Sequence, residues 1–238
     1  MHTVKRAIIM AAGIGKRMQP VSLDTPKPLI KVNGKRMIDT VVDALHDNGI
    51  YEIYVVVGYL KEQFYEWVKG KIGISIIENP VYDQCNNISS LYAAREHLED
   101  VIILDGDQII YNSNILRPEF EKSGYNGIWT DGDTDEWLMT VENNRVISCS
   151  RTGGKRGWQL FSVSRWSKED GKKLRQFLEL EFEQNKNTQI YWDDVAMFCH
   201  FNDFNLGVIP MKRKDIVEID NFDELIKLDK SYLNYRGV

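Results

Sequence analysis

Two short blocks near the amino terminus carry residues suited to handling anions. Ala11-Ala12-Gly13-Ile14-Gly15-Lys16-Arg17-Met18 follows the apolar run Ala7-Ile8-Ile9-Met10, and Thr25-Pro26-Lys27-Pro28-Leu29 comes soon after. Glycine has no Cβ and tolerates positive φ, so such a loop lets backbone N–H groups approach an anion closely. Lys16, Arg17 and Lys27 add formal positive charge, and a polyphosphate is the simplest target. A third block, Leu104-Asp105-Gly106-Asp107, ends an apolar run in two carboxylates. Asp-Gly-Asp is also a common turn. After a buried strand, however, it sets acids at the mouth of a sheet, where magnesium takes one or two carboxylates together with phosphate oxygens and water.

The opening loop differs from two better-known phosphate motifs. No GxxxxGK[ST] is present, and the position of a third dinucleotide-loop glycine holds Met18. A second group of residues suggests what else binds. Tyr82, Trp137, Tyr191 and Trp192 are interleaved with Glu136, Asp193 and Asp194. Aromatic faces attract a quaternary ammonium through the ring quadrupole, and carboxylates add longer-range attraction. Taken singly, each ring is an ordinary core residue; their recurrence beside acids raises the reading of an amine cage. The histidines His2, His46, His97 and His200 show no nucleophile–base pattern.

These residues need a frame that brings them together. Residues 5–11, 51–57, 74–77 and 100–104 read as strands, and residues 37–48, 60–70 and 87–97 as amphipathic helices between them. This rhythm predicts a parallel sheet with helices on both faces and ligands beyond the carboxyl ends of the strands, where Gly13, Gly58, Asn86 and Asp105 fall. The second half is less regular: short strands over 127–150, a basic loop Arg151–Arg156, a strand from Trp158 to Val163, a charged helix over 167–186, strands near 206–209 and 216–219, and a helix from Asn221. No linker divides the 238 residues, so one domain is expected. A net charge of −5 argues against a general nucleic-acid binder. No apolar stretch approaches the roughly 18 residues of a membrane span, and a cytoplasmic location without membrane insertion is expected. Cys85, Cys149 and Cys199 are widely spaced and lack zinc-ligand spacing.

Ala11-Ala12-Gly13-x-Gly15-x-Arg17 followed by Thr25-Pro26-Lys27-Pro28-Leu29 resembles the signature of the nucleotidyltransferase superfamily that makes sugar nucleotides and related activated alcohols. The resemblance implies a three-layer α/β/α Rossmann-like fold with a mixed, mostly parallel sheet, 1–110 forming the nucleotide-binding half and 111–238 the acceptor-binding half. It implies that residues Ala11 to Arg17 wrap the nucleotide triphosphate, with Gly58, Asn86, Asn87 and Ser90 also on the nucleotide. It gives Arg17 to the phosphates and Lys27 to the phosphate of the second substrate. It pairs Asp107 with a late acid, here Asp220, as ligands of Mg²⁺, with Asp105 and Glu218 supporting; Asp220 also reads as an N-cap. Val57 to Phe64, Tyr82 with Asn86-Asn87 and Ser90-Leu91-Tyr92, Glu136-Trp137, and Tyr191-Trp192-Asp193 with Glu218-Ile219-Asp220 resemble bacterial CTP:phosphocholine cytidylyltransferases, nearly end to end. Arg151–Arg156 and Gly157-Trp158-Gln159 depart from that pattern.

The expectation is a cytidylyltransferase joining CTP and a small phosphoalkylamine, phosphocholine foremost, with Lys27, Tyr82, Glu136, Trp137, Tyr191, Trp192 and Asp193 around the acceptor. The alternative is the same chemistry on a phosphonate such as 2-aminoethylphosphonate, whose primary amine would rely on carboxylates more than rings. A sugar-1-phosphate nucleotidyltransferase and a non-catalytic nucleotide-sensing module are the remaining readings.

Overall fold

The computed structural model describes residues 1–237. At its centre is the strand Arg6–Ala11, with Ala7, Ile8 and Ile9 fully buried. A strand apolar on both faces must be covered on both, and successive side chains point to opposite sides. Ala7, Ile9 and Ala11 join one core with Val41 and Leu45 of the helix Met37–Asp47 and with Phe64 and Trp67 of the helix Lys61–Val68. Ile8 and Met10 join a second core with Leu91 of the helix Ile88–Ala93 and Leu174 and Leu178 of the helix Lys168–Glu179. The expected α/β/α layering follows directly from this alternation.

Glu52–Val57 and Val101–Asp105 flank the central strand in parallel, and Ile74–Glu78 extends the sheet. Beyond Val101–Asp105 the direction reverses. The ten-residue strand Gly157–Trp166 runs antiparallel to it, from Val163↔Leu104 to Trp166↔Val101. Gly124–Thr130 lies antiparallel along the same strand, with Gly207–Pro210 parallel beside it. The hairpin Leu138–Glu142 and Arg145–Ser150 attaches through Leu138↔Gln159 and Met139↔Trp158. The sheet is therefore mixed around a parallel centre, and residues from both halves of the chain share it.

Two of the expected helices change geometry before their predicted ends. The helix expected over 167–186 is α-helical only for Lys168–Glu179 and continues as a wider π turn, Leu180–Gln184. The helix expected over 87–97 spans Ile88–Ala93 and then tightens into a 3-10 turn, Arg95–His97. A separate antiparallel pair decides the geometry of the site: Gln108–Ile110 with Ile216–Glu218, in register Glu218↔Gln108. Among the described residues no helix is long and apolar enough to cross a membrane.

Candidate active site

The central strand delivers Ala11 and Ala12, both buried, and the chain then emerges through Gly13 and Ile14. Gly15 has φ +67°, and a Cβ there would also sit 3.1 Å from Lys27 Cβ, so this turn requires glycine. In the 3-10 turn Lys16–Met18, Met18 is buried in a small third core with Ile30, Met37, Ile109 and Ile219, while Lys16 and Arg17 stand in solvent. Burial of Met18 with Ile219 carries their polar neighbours together. Arg17 Nη2 consequently lies 3.0 Å from Asp220 Oδ1.

Lys27 begins the 3-10 turn Lys27–Leu29, held between Pro26 and Pro28, whose rings fix φ. It is 8% exposed, and its Nζ lies 2.5 Å from Asp107 Oδ2 and 3.4 Å from Asp220 Oδ1. Burial works against the charge, but Asp107, Asp220 and Glu218 more than offset it and hold the ammonium above the ordinary lysine range.

Asp105 closes the strand Val101–Asp105, and Asp107 immediately precedes Gln108–Ile110. Asp105, Asp107 and Glu218 each place a carboxylate oxygen within 4.8 Å of the others. Burial, then Asp107 and Asp193, push Asp105 well above the usual carboxylate range; burial, then Asp107, Asp105 and Asp220, do the same for Glu218. Asp107 Oδ1 is buried with no hydrogen-bond partner. Crowded, undercompensated oxygens of this kind fit a hard divalent cation, which binds oxygen and cancels their repulsion. The grouping differs from the expected pair. Asp220 engages the two cations, whereas Asp105 and Glu218 close on Asp107. The N-cap of the helix Phe222–Leu228 is Asn221, whose side chain accepts from Glu224 N, so the cap does not occupy the Asp220 side chain.

A cleft of 230 Å³ opens beside these acids. Arg17, Asp105, Glu218 and Asp220 line one end, Glu136, Trp137, Tyr191 and Asp193 the other, with Asn87, Leu160 and Ser162 between. Trp137 and Tyr191 meet edge to face, centroids 6.0 Å apart at 90°. Burial pushes Asp193 up to about 7; the Tyr125 hydroxyl opposes the rise and Asp194 adds to it. Asp193 Oδ1 has no hydrogen-bond partner. Burial, followed by the charges of Asp220 and Asp135, raises Glu136.

Several expected residues fall elsewhere. Trp192 is 1% exposed and packs against Tyr125 and Trp166, so it is core rather than acceptor wall; its neighbour Tyr191 is 50% exposed. Tyr191 is the extended residue that precedes the short helix Trp192–Asp194, so its ring stays at the surface while Trp192, inside the turn, packs into the core. Trp192 instead anchors the segment, its backbone N–H donating to Asn87 Oδ1 at 2.8 Å. Tyr82 does not line the cleft: its ring lies over Gly58, where a Cβ would meet it at 2.5 Å. Ser90 is buried and accepts from Asn79 Nδ2 at 3.0 Å, while Asn86 Nδ2 donates to the Gln189 carbonyl at 3.2 Å. Both hold loops together. The sequence reading missed Leu160 and Ser162, although their alternation with buried Phe161 and Val163 along one strand marks them as a common face. It also missed Tyr125, fully buried in the strand Gly124–Thr130, where Gly-Tyr-Asn-Gly offers neither an apolar run nor a period-two alternation.

Residues 7–176 match the family model described as a MobA-like NTP transferase domain. The chain is 38% identical over 229 residues to a 2-aminoethylphosphonate cytidylyltransferase of Lancefieldella rimae, covering 95% of this chain and 93% of the relative. It is 30% identical to the choline-phosphate cytidylyltransferase of Streptococcus pneumoniae, covering 96% and 99%. A solved CTP:phosphocholine cytidylyltransferase from Streptococcus pneumoniae superposes with TM-score 0.88 at 30% identity, over 96% of this chain and 99% of that one. An inositol-1-phosphate CTP transferase from T. maritima, at 18% identity and TM-score 0.76 over 99% and 98%, shares the fold. With its opening loop, facing acids and full-length correspondence, the chain belongs to the MobA-like NTP transferase family and is, like its near relatives, a cytidylyltransferase.

Proposed function

We propose that this protein joins CTP to a small phosphoalkylamine, releasing pyrophosphate. The observation that carries the reading is the convergence of Arg17 and Lys27 on Asp107 and Asp220 at one end of a cleft whose other end holds Trp137, Tyr191, Glu136 and Asp193. An oxygen of the acceptor phosphate or phosphonate attacks the α-phosphorus of CTP, the bond to the β-phosphate oxygen breaks, and pyrophosphate leaves. That oxygen is already ionised at neutral pH, so the protein's work is alignment and charge compensation.

Arg17, with Lys16 beside it, exchanges its contact with Asp220 for the β and γ phosphates. Lys27, fixed by its flanking prolines, steers the acceptor phosphate and screens the repulsion between two anions. Mg²⁺ would be held by Asp107 together with Asp105 and Glu218, whose carboxylate oxygens crowd together, and Asp220 would join them once Arg17 turns to the phosphates; when bound, it would neutralise charge on the reacting phosphates. Trp137 and Tyr191 present ring faces and edges to the amine, which supports phosphocholine.

One observation favours 2-aminoethylphosphonate as a second reading. The unpartnered Asp193 oxygen calls for a hydrogen-bond donor, which a primary ammonium supplies and a trimethylammonium lacks. The relative of Lancefieldella rimae bears that name. Pyrophosphate release with each of the four nucleoside triphosphates, against phosphocholine, phosphoethanolamine, 2-aminoethylphosphonate and glucose 1-phosphate, tests both. Turnover is expected with CTP and an alkylamine acceptor. Preference for glucose 1-phosphate, or silence with every amine, overturns the proposal.

A further inference from the structure

The basic loop that departs from the choline enzymes is not loose at its first residue. Arg151 Nε lies 2.9 Å from Asp194 Oδ1, and Nη2 donates to the same oxygen. The guanidinium sits 3.6 Å from the centre of the Phe198 ring and 5.8 Å from that of Trp137. Asp194 is buried, and its Oδ2 accepts the Tyr191 backbone N–H at 2.8 Å. A single side chain, carried just past the hairpin strand Arg145–Ser150, therefore contacts Trp137 directly and Tyr191 through one carboxylate.

We infer that Arg151 is a positioning residue for the acceptor: standing behind the cleft wall, it fixes Trp137 and Tyr191 at right angles and neutralises Asp194, leaving Asp193 as the carboxylate that meets the ammonium. The inference rests on the proposed acceptor class. Exposed ion pairs ordinarily contribute little. This one differs because the carboxylate is buried, so losing the cation strands a charge within the wall. Among the described residues Asp193 has no ion-pair partner of its own. The role needs a planar, stacking cation with fixed donor directions, which lysine does not provide.

The test compares wild type, Arg151→Ala and Arg151→Lys in steady-state kinetics with CTP and with phosphocholine or 2-aminoethylphosphonate, whichever the wild type uses. Both variants should raise the acceptor KM about tenfold with kcat and the CTP KM nearly unchanged, and added guanidinium ion should restore the alanine variant. A generally weakened fold would instead move both substrates together. If Arg151→Ala does not fold, the lysine variant carries the comparison, its unchanged CTP KM reporting an intact nucleotide end. A wild-type acceptor KM in Arg151→Lys, or equal rises for CTP and acceptor, overturns the inference alone. A wild type inactive with every phosphoalkylamine overturns the acceptor reading, and this inference with it.

Discussion

The two ends of the cleft are held by different forces. At the phosphate end charges pair with charges: Lys27 spans Asp107 and Asp220, and Arg17 takes Asp220 as well. At the proposed acceptor end burial drives the carboxylates Glu136 and Asp193 upward with no ion-pair partner for either among the described residues, and packed rings set the shape. The proposed phosphate end tolerates little change of charge, because its two cations offset only part of the repulsion among Asp105, Asp107, Glu218 and Asp220. The acceptor end depends on which side chains a wall happens to expose, and so can be re-tuned without touching the reaction.

Substitutions at the phosphate end should have the largest effect. Asp107→Asn should lower turnover by about a thousandfold while the thermal midpoint stays near that of the wild type, since asparagine still accepts from Lys27. Pyrophosphate release beside a melting curve measures both, and retention of most activity removes Asp107 from the metal assignment.

The two tryptophans of the acceptor half should separate next. Trp192→Ala opens the core and should cost about 3–5 kcal/mol of stability. Trp137→Ala should leave stability largely intact and raise the acceptor KM by about tenfold, with the CTP KM unmoved. Denaturant titration and kinetics on the same pair decide the matter; if the pattern reverses, the wall has been assigned to the wrong ring.

Asp193 gives a smaller, pH-dependent effect. Its carboxyl titrates at about 7 in the folded protein and near 4 in an unfolded chain. Between those values the native state holds more protons than the unfolded one, so this group's contribution to stability falls as pH rises through the window. Asp193→Asn should flatten that decline. The acceptor KM should fall as pH rises through about 7 in the wild type and lose that dependence in the variant. An unchanged profile would show that the ammonium does not meet Asp193. The smallest effect is expected from Lys172→Ala, whose exposed contact with Glu99 spans 4.0 Å; stability should move by less than about 0.5 kcal/mol and kinetics not at all.

Most of the parallel half is legible in the sequence. Its strands are continuous apolar runs and its helices carry a clear 3.6-residue stripe, both local signals. The helix over 167–186 was overextended because charge and apolar spacing persist past Glu179, while the backbone widens at Leu180. The aromatic wall was half legible. Tyr82, Tyr191 and Trp192 share composition and neighbouring acids, yet only Tyr191 reaches the cleft.

The sequence alone determined the glycine turn at Gly15, the lysine locked between Pro26 and Pro28, and the acids at the end of an apolar strand. These depend on backbone preferences over a few residues, which neighbouring side chains fix. Tertiary structure decided the rest: that Gln108–Ile110 pairs with Ile216–Glu218, that Trp192 turns inward while Tyr191 faces out, and that Arg151 finds Asp194. Such contacts join residues far apart along the chain, and they are selected by the burial of whole apolar surfaces rather than by any local pattern.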